Sequence, residues 1–292
     1  MDENDRLAAL FEDHRTHLKA VAYRLLGSLS EADDAVQEAW IRLSRADAGA
    51  IDNLGGWLTT VVSRICLDLL RSRAARPEAT GDPLPWMPDP LLAPAGGLDP
   101  EQEALLAGDV GLALQVVLQQ LAPPERIAYV LHDVFAVPFE QVAEIVERSP
   151  AATRQLASRA RRRVRDEAPP PDSDLTAQRE VVDAFFAAAR EGDFEALVAV
   201  LDPQIVLRAS DLRGTGLIRG ATTVAGRALT FARLSPHVIP ALVNGAAGVV
   251  VAPGGRAVSL MAFTVRGGRV VAIDAIAEPA RLEALGAVAA VR

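Results

Sequence analysis

The 292-residue chain is half hydrophobic, carries a formal net charge of −8 and has a single cysteine, Cys66. That balance excludes a disordered chain, a bulk polyanion binder, a scaffold held by internal disulfides and a cysteine-based zinc site. No apolar run reaches eighteen residues and the acidic opening MDENDRLAALFEDH lacks a secretory pattern, so the expectation is a cytoplasmic protein of two or three domains with no membrane partner.

In chain order, the first predicted helix runs from about Asp5 to Leu26, with Leu7, Leu10, Phe11, Leu18, Val21 and Leu25 at helical spacing and Gly27 as its stop. Ser30 with Asp33 has the spacing of a capping box and opens a second helix reaching about Arg45. Its apolar stripe is Ala35, Val36, Ala39, Trp40 and Leu43, and its exposed side gathers Glu31, Asp33, Asp34, Gln37 and Glu38. A third helix starts near Leu54 to Trp57 and runs to about Arg76, with Leu58, Val61, Val62, Ile65, Leu69 and Leu70 inward. Trp57 is read as a core residue. The helix carries Arg64 and ends in a basic tail, RSRAAR, with Arg71, Arg73 and Arg76. Residues 77–104 are rich in proline and glycine around PLPWMPDPLLAP and read as a tether, in which Trp86 and Pro88 are expected to dock on a neighbouring domain.

Helices resume near Glu103 and lead to PFEQVAEIVERSPAATRQLASRARRRVR, two short helices joined by a tight turn. Pro138 can open the first, since its missing N–H is an orphan in the first turn anyway. Ser149 followed by Pro150 marks the start of the second. From Ser149 onward, 100° per residue places Thr153, Leu156, Ala160 and Val164 on one face and Arg154, Gln155, Ser158, Arg159, Arg161, Arg162 and Arg165 on the other. Arginines can take phosphates or guanine edges, and Gln and Ser can meet base edges, so this face suits a DNA major groove. From Arg148 to Arg165 there are seven arginines and no acid, whereas a merely solvated face mixes both signs. The basic character is local: residues 1–104 have a net charge of −8, 105–174 of −2 and 175–292 of +2. The acidic N-terminal part therefore needs a partner of its own.

APPPDSD (168–174) is a second short linker. After it come two helices, with Gly192 as a stop and Asp193 as the next cap. Beyond Pro203 the chain is strand-like, in QIVLRAS, HVIPALV, AGVVVAP, AVSLMAFTV and RVVAIDAIA, with a helix at about 220–233 and turns at the two GGR tripeptides. A helix pair followed by a curved antiparallel sheet is an α+β domain. Its candidate cavity residues are Asp211 and Asp274; His237, beside Pro236, reads as a strand-edge residue. No spacing among these establishes a catalytic dyad, and no metal or cofactor is expected.

With these elements placed, EADDAVQEAWIRL (31–43), WLTTVVSRICLDLLRSR (57–73) and RQLASRARRRVR (154–165) together resemble bacterial RNA polymerase sigma factors of the extracytoplasmic-function group. PLPWMPDPL and the C-terminal domain resemble the subgroup with a fused SnoaL-like domain. The implied fold is multidomain: two all-α sigma domains, the second with a helix-turn-helix, and an α+β SnoaL-like cone. The boundaries are 1–78 for sigma region two, 79–104 for a linker, 105–166 for sigma region four, 167–174 for a linker and 175–292 for the cone. The implied partners are bacterial core RNA polymerase, clamped by Asp33, Asp34, Gln37 and Glu38, and promoter DNA, held by Arg64, Arg71, Arg73, Arg76, Arg154, Gln155, Ser158, Arg159 and Arg162. The implied role is promoter recognition and transcription initiation, regulated in cis by the cone, with a small molecule in the cone as a further candidate partner. The alternatives are a ligand-responsive helix-turn-helix regulator that acts without polymerase and a cyclase-like enzyme with an appended DNA-binding part. Two family patterns are altered here. SDLRGTG (210–216) keeps Asp211 but lacks a glycine run, and EPARL (278–282) keeps only a proline and a leucine of its motif.

Overall fold

Helix α1 (Glu3–Leu26) follows its predicted apolar spacing and stops at Gly27, whose φ of 73° suits a residue without a Cβ. The computed structural model describes residues 3–47, 49, 51–75, 87–97, 100–106, 111–168, 170–211, 214–232 and 237–287. Helices α2 (Leu29–Leu43) and α3 (Leu54–Ala75) follow, then strand β1 (Leu92–Pro94), α4 (Pro100–Leu105) and α5 (Leu112–Gln119). Helix α6 (Pro123–Tyr129) runs into one wide turn at Val130–Val134 and is followed by α7 (Phe139–Val146) and α8 (Pro150–Glu167). The remainder is α9 (Leu175–Glu191), α10 (Phe194–Val200), β2 (Leu201–Asp211), β3 (Gly214–Arg219), α11 (Ala221–Thr230), β4 (Val238–Val243), β5 (Ala246–Val251), β6 (Ser259–Arg266), β7 (Arg269–Ile276) and α12 (Pro279–Ala284). Two compact units result: Met1–Gly81 with Pro100–Gly108 and Val117–Ala168, and Asp82–Asp99 with Asp109–Val116 and Pro169–Arg292.

In the helical unit, α1, α2 and α3 pack on one another through Leu18, Val21, Leu25, Val36, Leu43, Leu58 and Val62, all buried. Helices α6, α7 and α8 form a second cluster around Ile127, Leu131, Val142, Ile145, Ala157 and Ala160, and α3 packs against α6 and α7. Ser28, not Ser30, precedes α2, and it makes no side-chain cap bond; its hydroxyl instead lies 3.1 Å from that of Ser30. Leu10 and Leu69, expected inward, are 43% and 38% exposed.

Two arginines are buried in this unit. Arg126 donates to the Leu25 carbonyl (2.9 Å) at the end of α1 and to the Gln119 side chain (2.8 Å), and Arg24 donates to the Leu106 carbonyl. Loss of water depresses the Arg24 guanidinium to about 10. It takes that of Arg126 to about 9, where repulsion from Arg73 adds to it. A cation on the last carbonyls of a helix meets the negative end of its dipole, which offsets part of that burial.

In the second unit a seven-stranded sheet has the order β1-β4-β5-β6-β7-β2-β3. It is mixed, not antiparallel as expected: β2 runs parallel to β7, with Leu207 opposite Ile273 and Ala209 opposite Ala275. Helix α11 separates the β2–β3 hairpin from the β4–β7 meander, and the last meander strand closes against the free side of β2. The turn at Gly267 and Gly268, with φ of 57° and 71°, is the tight hairpin that the GGR at 267–269 suggests. Both sheet faces are covered. On one, Val182, Phe185, Phe186, Leu197 and Val224 pack on Leu207, Phe263 and Ile273; on the other, Met87, Leu112, Val116 and Leu282 pack on Val243, Val250, Leu260 and Ile276.

Part of the stretch read as a tether therefore belongs to this sheet. The Leu91 amide donates to the Asn244 side chain (2.7 Å) and the Asn244 amide to the Leu91 carbonyl (2.8 Å), which sets β1 beside β4. Arg281 donates to the Met87 carbonyl and pairs with Asp89 at 3.1 Å, and Pro88 is buried. Trp86 and Arg76 lie outside the described residues.

Candidate nucleic-acid interface

Helix α7 ends at Val146, the next residue, Glu147, is left-handed (φ 57°), and α8 begins three residues later at Pro150. The Ser149 side chain caps α8 by accepting from the Ala152 amide (3.2 Å), with Pro150 in the first turn. This is a helix-turn-helix. Thr153, Ala157, Ala160 and Val164 bury the inner stripe of α8; Leu156, expected there, is only half-buried, because Ala157 and not Leu156 faces the helices behind.

The outer face holds Arg154, Gln155, Ser158, Arg159, Arg161, Arg162 and Arg165, all exposed. Most of these arginines are already tied to carboxylates: Arg154 to Glu140 (2.9 Å), Arg159 to Glu125 (2.7 Å), Arg161 to Asp133 (2.7 Å) and Arg165 to Asp166 (3.3 Å). The bond to Asp133 raises the Arg161 pKa, and Arg154 also sits over the Phe139 ring at 5.4 Å. Arg163 turns inward, donating to the Gln120 carbonyl (2.9 Å) and side chain (3.0 Å). Arg162 has no acidic partner among the described residues, and with Gln155 and Ser158 it forms the uncommitted row of the helix. The linear sequence hid the carboxylates because three of them come from α6, the wide turn after it and α7.

On α2, Asp33, Asp34 and Gln37 are exposed and Glu38 is partly so. Asp33 pairs with Lys19 (3.0 Å) and Glu38 with Arg42 (3.0 Å), leaving Asp34 and Gln37 without a charged partner among the described residues. On α3, Arg64 is exposed and shares a surface groove with Trp57, Thr60, Gln141 and Glu144. Trp57 is half-buried there, so it is not the core residue expected; a helix start that borders a groove leaves one ring face uncovered. Arg71 lies between Asp68 (3.9 Å) and Glu147 (3.6 Å), and Arg73 pairs with Glu31 and donates to the Leu26 carbonyl (3.3 Å).

Two stretches of the chain match models of known families: residues 10–76 match Sigma-70 region 2 and residues 111–164 match Sigma-70, region 4. Over 288 residues the chain is 41% identical to the ECF RNA polymerase sigma factor SigJ of Mycobacterium tuberculosis, covering 92% of this chain and 91% of that one. The chain belongs to the extracytoplasmic-function (ECF) sigma factors. The Probable ECF RNA polymerase sigma factor SigI of the same species is 32% identical over 288 residues, covering 98% of each chain. The crystal structure of the M. tuberculosis sigma factor SigJ superposes with a TM-score of 0.76 at 38% identity, covering 94% of this chain and 98% of that one. A sigma factor with this architecture has two helical sigma regions and a C-terminal α+β part, and no described helix is long and apolar enough to cross a membrane.

In the sheet unit, the acidic residue expected in the cavity is elsewhere. Asp274 is 2% exposed and forms a two-pronged pair with Arg208 (2.5 and 3.0 Å). The cavity is lined by its neighbours Ile273 and Ala275, because successive residues of β7 point to opposite faces. The backbone of Asp211 ends β2; its side chain lies outside the described residues. His237 is exposed just before β4, a strand-edge position.

Proposed function

We propose that this ECF sigma factor binds bacterial core RNA polymerase through the exposed acids of α2 and directs it to promoters, with α8 in the major groove of the upstream element and the basic side of α3 on the opened strand. The observation that carries the reading is the Gln155–Ser158–Arg162 row: three exposed polar side chains without an ionic partner among the described residues, on the second helix of a helix-turn-helix. Hydrogen bonding to base edges needs side chains free to leave water for the groove. Arg154 joins them by exchanging the exposed Glu140 carboxylate for a phosphate, at low cost because surface pairs contribute about 0–1 kcal/mol, and Arg159 by leaving the half-buried Glu125. On α2, Asp34 and Gln37 stand ready for a basic partner surface, and a carboxylate row speeds and orients such an encounter. A cytoplasmic location follows from that partnership.

The SnoaL-like C-terminal unit acts in cis. Residues 87–94, between the two sigma regions in sequence, are held by Asn244 and Arg281 of that unit, so its stability governs how that stretch is held. A regulatory role without turnover is the reading that membership of the ECF sigma factors favours. The experiment is size-exclusion chromatography of the full chain with bacterial core polymerase. Co-elution as a stoichiometric complex is expected; elution of the two as separate species would favour a helix-turn-helix regulator that acts without polymerase.

A further inference from the structure

The sheet unit holds a partly open cavity of about 290 Å³, at the small end of ligand-binding pockets. Its walls are apolar: Phe185 and Phe186 from α9, Leu207 from β2, Val224 from α11, Met261 from β6 and Ile273 from β7. An apolar void of this kind holds water poorly and takes an apolar guest readily. Among the described lining residues Arg227 is the only charged one. It stands at the rim on α11, exposed, with its guanidinium 4.8 Å from the centre of the Phe231 ring and no acidic partner among the described residues. Phe231 is itself 49% exposed and places an aromatic lip beside that cation. The hydroxyl of Ser210 is taken by Glu278.

We propose that this cavity is a binding site for a medium-chain monocarboxylic acid, its tail among the phenylalanines and its carboxylate on Arg227. The guanidinium presents a planar fork that matches two carboxylate oxygens, and the ring beneath leaves its edge free to donate. Among the described lining residues one cation stands at the rim, and one cation suits a single-charged head better than a phosphate, which draws several donors. The role assigned to the site is binding, not turnover. The proposal is independent of the polymerase reading above and is tested by binding alone.

The test is calorimetric titration of the full-length protein with octanoate and, separately, with octanol. Octanoate is expected to saturate at one site, octanol to bind at least tenfold more weakly. Arg227→Met keeps the stem length and removes the charge at an exposed position; it is expected to cut octanoate affinity at least tenfold and leave octanol affinity unchanged. Ala228→Phe, at a half-buried lining position of α11, is expected to weaken both. Mass spectrometry of the ligand after incubation is expected to recover it intact. The proposal is overturned if octanoate does not saturate, if it binds both variants as it binds the parent protein, or if octanol binds as tightly as octanoate.

Discussion

Arg162 is the arginine of α8 whose loss is easiest to interpret, because removing it breaks no ion pair seen among the described residues. Arg162→Ala should weaken promoter binding by the holoenzyme by about 1–3 kcal/mol, with relaxed preference at one base position if it reads a base, or a uniform loss and a shallower salt slope if it holds a phosphate. Fluorescence anisotropy at several salt concentrations separates the two, and unchanged affinity would mean that the groove face has been misassigned. Gly248 makes a different residue-scale case. A Cβ there would lie 2.4 Å from the Val243 side chain and 2.8 Å from the Met261 carbonyl, and the Gly248 carbonyl also accepts from Arg179 at 2.9 Å. Gly248→Ala should therefore destabilise the sheet unit by about 1–3 kcal/mol, seen as a lower Tm by circular dichroism. Little of this was legible in sequence. The exposure of Gln155 and Ser158 follows from helical spacing, but the carboxylates on Arg154, Arg159 and Arg161 come from other elements, and spacing within one helix says nothing about those. Arg227 went unnoticed for a related reason: an isolated arginine in an amphipathic helix gains meaning only when a cavity opens beside it.

At the scale of elements, α2 and α3 were readable because their apolar stripes repeat at helical spacing, and the turn before α8 because Ser149 and Pro150 give a local cap. Strands β1 and β3 were not. LAP is three residues long and surrounded by prolines, and GTGLIR opens on two glycines, so neither shows the β-branched run that marks a strand. The parallel pairing of β2 with β7 is likewise invisible locally, since it joins residues more than sixty positions apart. For α2 the structure sharpens the expectation. Asp33 and Glu38 spend their charge on Lys19 and Arg42, so Asp34 is the residue to reverse. Asp34→Lys should reduce association with core polymerase at least tenfold while leaving the melting curve unchanged, because the side chain is exposed and makes no charged contact among the described residues. Surface plasmon resonance against immobilised core enzyme reads the first and thermal unfolding the second; full-strength association would remove α2 from the polymerase interface.

Across the whole molecule, the C-terminal domain is more than the residues after the second linker. Its compact unit also takes in 82–99 and 109–116, so a cut near residue 171 would strip β1, Leu112 and Val116 of their partners and confound loss of regulation with loss of packing. A point variant is the cleaner probe. Arg281 holds the Met87 carbonyl and Asp89, and Arg281→Ala should free that stretch and change the transcription rate at matched polymerase occupancy without preventing polymerase binding. The two helical sigma regions were legible from three motifs in order and the sheet domain from its β-branched runs; the reach of the sheet domain back into the chain was not, because 82–99 is proline-rich and without periodicity and 109–116 leads into a short helix like those that follow it. The central claim is that this chain confers promoter recognition on core polymerase, and the most direct measurement is reconstituted transcription with core enzyme, full-length protein and restriction fragments of host DNA. The account predicts transcripts starting at defined sites only when the protein is present, and their loss with the Gln155→Ala, Arg162→Ala double variant. Transcript patterns identical with and without the protein would contradict it.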